Sequence, residues 1–307
     1  MKHSFQISNF PPQVDQPWAG KFQINTSPIY QRLLLLLGFI IPFSFALSPT
    51  RTIDLNILKL YIPMIFLFWL AHSLLKKKLL LDNRPRFWLL LIFLFIVSLS
   101  FFWTTAPESA LRKILFFFTT APLYFVFYAA SLDVTFRNKF LKSLVLGAFL
   151  VACLSLVFFL LQFMIGLNPT LDILRVYMAP VFLGNSLSAL VNQYSSWLVN
   201  VSGKTVLRTF GTFPDPHLFS LYLSMIFPIG IYFYKKLSQT KYLLFSLVIM
   251  VAILLSFSRA AYLAVMTGGF FLLINSASKE FFRKKTLLLY GTFVFLSARL
   301  FRFRNRP

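Results

Sequence analysis

Blocks of apolar sequence long enough to cross a membrane constrain this chain more than any motif it carries. They run Leu33–Leu47, Leu55–Leu75, Phe87–Trp103, Ile114–Leu132, Phe140–Ile165, Leu218–Tyr234, Tyr242–Phe257, Ala260–Ile274 and Thr286–Leu300. A helix needs about 20 apolar residues to traverse bilayer hydrocarbon. Helix also satisfies each backbone polar group within its own segment, and no block alternates polar with apolar residues as a barrel strand does. The sequence therefore predicts an all-α polytopic membrane protein with about nine transmembrane helices. Only 12% of the 307 residues are charged against 58% hydrophobic, too little charge to coat a soluble domain of this size. Two blocks, Leu33–Leu47 and Ala260–Ile274, are short. Reading Val248–Val265 as one helix would place Arg259 in the bilayer, at roughly 2.5–3.5 kcal/mol on insertion scales. Two helices with Arg259 at the turn between them avoid that cost.

Basic residues give the orientation. With the N-terminus inside, the inner segments hold Lys76, Lys77, Lys78, Arg84 and Arg86, then Arg137, Lys139 and Lys142, then Lys235, Lys236 and Lys241, then Lys279, Arg283, Lys284 and Lys285. The outer segments hold a sparser set that includes Arg112, Lys113, Arg175, Lys204, Arg208 and Arg259. Inner loops rich in Lys and Arg predict an N-inside topology. The net charge of +22 is then an orienting device and an attraction to anionic membrane lipids, and no nucleic-acid motif accompanies it. Arg299, Arg302, Arg304 and Arg306 break the pattern. They lead to the expectation that the last block does not finish its crossing or that the chain is truncated at its C-terminus.

The reading divides the chain into a cytoplasmic tail (1–32), five transmembrane helices (33–165), an external loop (166–215) and a further, apparently incomplete transmembrane region (216–307). The polar, proline-containing tail exceeds the basic region of a signal peptide, and Phe45-Ala46-Leu47-Ser48-Pro49 offers no convincing small-x-small cleavage site, so the first block is read as a retained span. The single cysteine, Cys153, has no intrachain partner and reads as a packing residue. In the external loop Leu187, Leu190, Val191, Tyr194, Trp197 and Leu198 recur at helical spacing after Asn185 or Ser186 as a cap. They predict an amphipathic helix along the membrane boundary, either a lid over the bundle or a wall of a site for a lipid-borne substrate.

Two polar interruptions carry the chemistry. One is Arg208-Thr209-Phe210-Gly211-Thr212-Phe213-Pro214-Asp215-Pro216-His217, and the other is Ser256-Phe257-Ser258-Arg259-Ala260-Ala261. Both fall at the outer face. Arg208 and Arg259 are candidates for binding phosphate or pyrophosphate, because a guanidinium donates hydrogen bonds in pairs and keeps its charge. Snorkelling or a helix-end contact is the plainer role for either. Asp215 and Pro216 suit a helix cap and first turn. His217 can take a proton from a hydroxyl near neutral pH, and is equally readable as a boundary histidine. The outer carboxylates are scattered, which disfavours a Mg²⁺ or Mn²⁺ site, and no phosphate loop, dinucleotide fingerprint or nucleophile elbow is present. No block carries an acidic residue at its middle, as an ion-coupled transporter would need.

The Arg208–Tyr222 stretch, followed about 35 residues later by Ser256-Phe257-Ser258-Arg259-Ala260-Ala261-Tyr262, resembles the O-antigen ligase/polymerase superfamily of bacterial membrane glycosyltransferases. The resemblance is sharpest over Arg208–Ile274. It implies a metal-independent, inverting transfer at the outer face of the cytoplasmic membrane, without a cofactor. A glycan on a polyprenyl-pyrophosphate carrier would move to an acceptor hydroxyl on a lipid, a polysaccharide or a protein. Arg208 and Arg259 match the family arginines thought to hold the pyrophosphate, His217 stands where the family more often has Asn, and His217 or Asp215 is then the candidate for positioning the acceptor. The family's large external loop with its histidine, and the spans that follow it, have no counterpart here, so an inactive fragment is one alternative. The other is a non-catalytic transporter or flippase of lipid-linked glycans.

Overall fold

The computed structural model describes residues 28–43, 45–47, 55–75, 85–131, 133–185, 187–189, 195–275 and 291. Its helices are α1 Pro28–Ile40, α2 Ile57–Leu75, α3 Pro85–Leu99, α4 Pro107–Thr120, α5 Pro122–Ser131, α6 Val134–Ile165, α7 Leu167–Ile173, α8 Ala179–Leu183, α9 Pro216–Leu237, α10 Thr240–Leu255 and α11 Arg259–Asn275. Five of them (α1, α3, α4, α5 and α9) open on proline. There the missing N–H costs nothing, because the first turn has no carbonyl to donate to. Four stretches are long and apolar enough to cross a bilayer: Ile57–Leu75, Pro107–Tyr128, Val134–Ile165 and Pro216–Leu237. The chain is thus a mostly helical membrane protein.

Several boundaries differ from the apolar blocks, for local reasons. The first helix stops at Ile40, just before Pro42, whose ring disfavours helical backbone in the residue ahead of it. Ala46–Leu47 then pairs as a short antiparallel strand, β1, with β2, Leu55–Asn56. The fourth block starts earlier than expected, at Pro107, and breaks at Ala121 ahead of Pro122. The predicted break at Arg259 is present: α10 ends at Leu255 and α11 begins at Arg259. The block Thr286–Leu300 and the N-terminal tail through residue 27 lie outside the described residues, apart from Gly291.

Two compact units divide the chain. In the first, Met1–Arg32 with Ile65–Asn138, the rings of Phe66, Trp69, Phe87 and Phe125 gather with centroids 5.8 to 6.3 Å apart. The hydroxyl of Tyr30 donates to the carbonyl of Val126 at 3.0 Å. Large apolar side chains such as Leu89, Phe95 and Phe102 are exposed, the surface expected of helices immersed in lipid and not in water.

In the second unit, Leu33–Met64 with Lys139–Pro307, one face of α6 (Val145, Ala148, Val151, Ala152) packs into a core with Phe219, Leu223, Ile226 and Phe227 of α9, Ile249 and Ile253 of α10, and Tyr262 and Val265 of α11. Small residues set the close crossings, as they do where lipid supplies no hydrophobic drive between helices. A Cβ on Gly147 would meet the carbonyl oxygen of Phe39 at 2.6 Å, and one on Gly230 would collide with Oγ of Ser246.

The expected amphipathic helix does not run through to Leu198. Residues 190–194 lie outside the described set, Ser195–Trp197 form a 3₁₀ turn, and Leu198–Val201 (β3) pairs antiparallel with Lys204–Leu207 (β4). Val199 and Val201 flank the exposed Asn200, and Ser202 and Gly203 take φ of 52° and 81°. Two positive-φ residues between paired strands are the tight hairpin turn that Gly accommodates without strain. Trp197, assigned to the apolar face of that helix, is instead buried at the foot of the hairpin.

Candidate functional site

The two polar interruptions meet at the C-terminal end of α10. A helix ends with four carbonyls that no turn of its own can satisfy. Here the Arg208 segment supplies donors to two of them, and the Ser256 turn and α11 supply donors to two more. The Thr209 hydroxyl donates to the carbonyl of Ala252 at 2.7 Å, and the Thr209 N–H donates to Leu255 at 3.2 Å. The Ser256 hydroxyl donates to Ile253 at 2.6 Å, and Oη of Tyr262 donates to Leu254. Nε of Arg208 then donates to the carbonyl of Ser256 at 2.7 Å. A cation at the negative end of a helix is favourable in itself.

Arg208 is held from its other side as well. Its Nη1 donates to the carbonyl of Ser196 at 3.0 Å, and its backbone N–H donates to Trp197 at 2.8 Å. The residue is 5% exposed. The sequence placed this guanidinium open at the mouth of the bundle; it is instead a buried tie between the hairpin and the α10–α11 turn. Around it, Trp197 stacks on Phe210 with centroids 4.3 Å apart at 15°, and its indole N–H donates to Pro214 at 3.0 Å. Gln162 of α6 anchors β4, accepting from the N–H of Leu207 at 2.8 Å. The Thr212 hydroxyl donates to the carbonyl of Pro42.

Asp215 caps α9 as expected, its Oδ1 accepting from the backbone N–H of His217 at 2.9 Å with Pro216 in the first turn. One carboxylate oxygen is therefore engaged in the cap. His217 is exposed, and its Nδ1 lies 3.0 Å from Oγ of Ser258, which is fully buried. If Nδ1 carries the proton and donates to that hydroxyl, the outer nitrogen Nε2 is left as the basic one. Arg259 is exposed at the first position of α11. A cation gains nothing from the positive end of a helix, whereas an anion placed there meets both the guanidinium and the positive end of the helix dipole. Just before it, Phe257 holds a φ of 50°, a conformation uncommon for a bulky residue and one that clusters at functional turns.

Arg208, His217 and the Ser256–Arg259 turn are thus brought to one end of α9, α10 and α11. The His217–Ser258 contact, the capping by Thr209 and the anchor at Gln162 were not anticipated. Gln162 alone left a signal, as an amide near the end of an otherwise apolar block. A shallow recess lined by Leu174, Met178, Phe182, Trp197, Phe210 and Phe213 opens beside the segment. No family model, curated protein or solved structure matches this chain.

Proposed function

We propose that this chain is a membrane glycosyltransferase of the O-antigen ligase or polymerase type. It would move a polyprenyl-pyrophosphate-linked glycan to an acceptor hydroxyl on a lipid, a polysaccharide or a protein. On this reading it sits in a bacterial cytoplasmic membrane, crosses about nine times with its N-terminus inside, and works at the outer face. One observation carries the reading. Two motifs 48 residues apart are hydrogen-bonded to each other at one end of the α9–α11 bundle, through Arg208 and Ser256, and leave an exposed arginine at a helix start.

In the proposed reaction the acceptor oxygen attacks the anomeric carbon while the bond from that carbon to the pyrophosphate oxygen breaks, inverting the centre. Arg259 and the first N–H groups of α11 stabilise the charge gathering on the departing pyrophosphate. Nε2 of His217 receives the acceptor's proton, with Ser258 holding the ring at Nδ1. Asp215 contributes as the cap that places His217, and Arg208 holds the turn from within. In proteoliposomes supplied with carrier-linked glycan, Arg259→Lys is expected to lower transfer by roughly two orders of magnitude with insertion and helical content intact. Wild-type transfer in that variant sinks the assignment.

The two donors that Arg208 commits to carbonyls, and so not to a pyrophosphate, favour one second reading, a non-catalytic passage for lipid-linked glycans. It predicts carrier movement across vesicles with no new glycosidic bond.

A further inference from the structure

At the other end of α9, three lysines stand on one run of aromatic rings. Nζ of Lys142, on α6, lies 5.7 Å from the ring centre of Phe233. Nζ of Lys236 lies 5.4 Å from that of Tyr232 and donates to its hydroxyl at 3.1 Å. Nζ of Lys241 lies 5.3 Å from that of Tyr242. The rings adjoin, with Tyr232 and Phe233 centred 5.3 Å apart and Phe233 and Tyr242 5.5 Å apart. Ring faces attract the ammonium groups and hold them in place, but they do not neutralise them.

No carboxylate of this unit is available to do so among the described residues. Its described acidic residues are Asp172 and Asp215. Asp215 caps the far end of α9, which at 22 residues puts it about 33 Å away along the helix. Asp172 follows the C-terminal end of α6, whereas Lys142 lies near its start. Among the described residues of this unit the three gathered cations thus have no counter-charge, and an anion from outside can supply it.

We propose that this end of the unit binds an anionic phospholipid, its phosphate held by Lys142, Lys236 and Lys241. The apolar track beneath the lysines favours a lipid over a soluble phosphate. On α10, Leu244, Leu247 and Val251 are exposed and follow Lys241 at intervals of three, three and four residues, so the lysine heads a stripe on one helix face along which acyl chains can lie. Lysine suits such a headgroup because its ammonium acts as a compact point charge on phosphate. The proposal stands independently of the glycosyl-transfer reading.

The test uses the full chain in nanodiscs of phosphatidylcholine with a minor share of phosphatidylglycerol, with protein-bound lipid counted by native mass spectrometry. Wild type is expected to enrich phosphatidylglycerol several-fold over its share of the bilayer. Lys142→Gln/Lys236→Gln/Lys241→Gln should bring it to parity, and the same three positions as arginine should retain it. Lys241→Gln alone, at an exposed helix start, should lose roughly fivefold and serves if the triple variant fails to insert. Arg112→Gln/Lys113→Gln, on α4, should change nothing. Enrichment that survives in the lysine-to-glutamine variants overturns the proposal, as does displacement of the lipid by equimolar soluble glycerophosphoglycerol.

Discussion

Arg208 and Arg259 carry the same side chain in paired motifs, yet their surroundings assign them different roles. The Arg208 guanidinium is buried and bonded to the carbonyls of Ser256 and Ser196, so removing it strands the buried Ser256 acceptor and loses a second, part-buried bond. Charged hydrogen bonds contribute more than neutral ones, and the loss on Arg208→Ala should be about 3 kcal/mol. Thr209→Val keeps the shape and forfeits only the bond to Ala252, a loss of about 1 kcal/mol. Thermal unfolding in detergent should rank the two variants in that order. Arg259→Ala, at an exposed site, should leave the midpoint close to wild type. Equal destabilisation by Arg208→Ala and Arg259→Ala would mean the burial contrast does not govern stability.

At the scale of elements, apolar run length made most of the helices legible. Pro216 and Asp215 could be assigned first turn and cap from sequence order alone, whereas the helix starts at Pro85, Pro107 and Pro122 were not read, because apolar run length passes over a proline. The break before Arg259 was legible for an energetic reason, since continuous helix would have sunk a charge. The hairpin was missed because Trp197 and Leu198 extend a helical apolar spacing, and that pattern outweighed the Ser202–Gly203 turn signal a few residues on. Contacts such as His217 with Ser258 join residues 41 apart, and spacing cannot reveal which side chains a helix crossing brings together. The crossing of α9 with α10 has its own test. Gly230→Ala drives a methyl group into Oγ of Ser246 and should cost about 1–3 kcal/mol as an overpacked contact. Pairing it with Ser246→Gly removes the hydroxymethyl group it strikes and should recover part of the loss. A double-mutant cycle with no coupling between the two positions would contradict so close an approach.

At the largest scale, α9 carries opposite charge at its two ends, with Asp215 capping its start and Lys235 and Lys236 in its last turn. In the second unit, Lys142, Lys236 and Lys241 gather on aromatic rings at one end of α9, and Asp215, His217 and the buried Arg208 lie at the other. That polarity matters only if α9 crosses the membrane, which its 22 residues allow, since about 33 Å of helix covers a hydrocarbon core of about 30 Å. Two exposed positions bracket it: Asn200 in β3 of the hairpin before the helix, and Gln239 just after it. In a Cys153→Ser background, Asn200→Cys should react with a membrane-impermeant maleimide in intact cells. Gln239→Cys should react only after the inner face is opened. The proposed N-inside orientation fixes which site reacts first, and the crossing itself requires only that the two differ. Labelling of both from the same side would remove α9 from the spans and detach the arginine turn and the lysine cluster from opposite leaflets. Reversed labelling would keep the crossing, but it would put the Arg208–Arg259 site on the cytoplasmic face, where a carrier-linked glycan destined for an external acceptor could not be used.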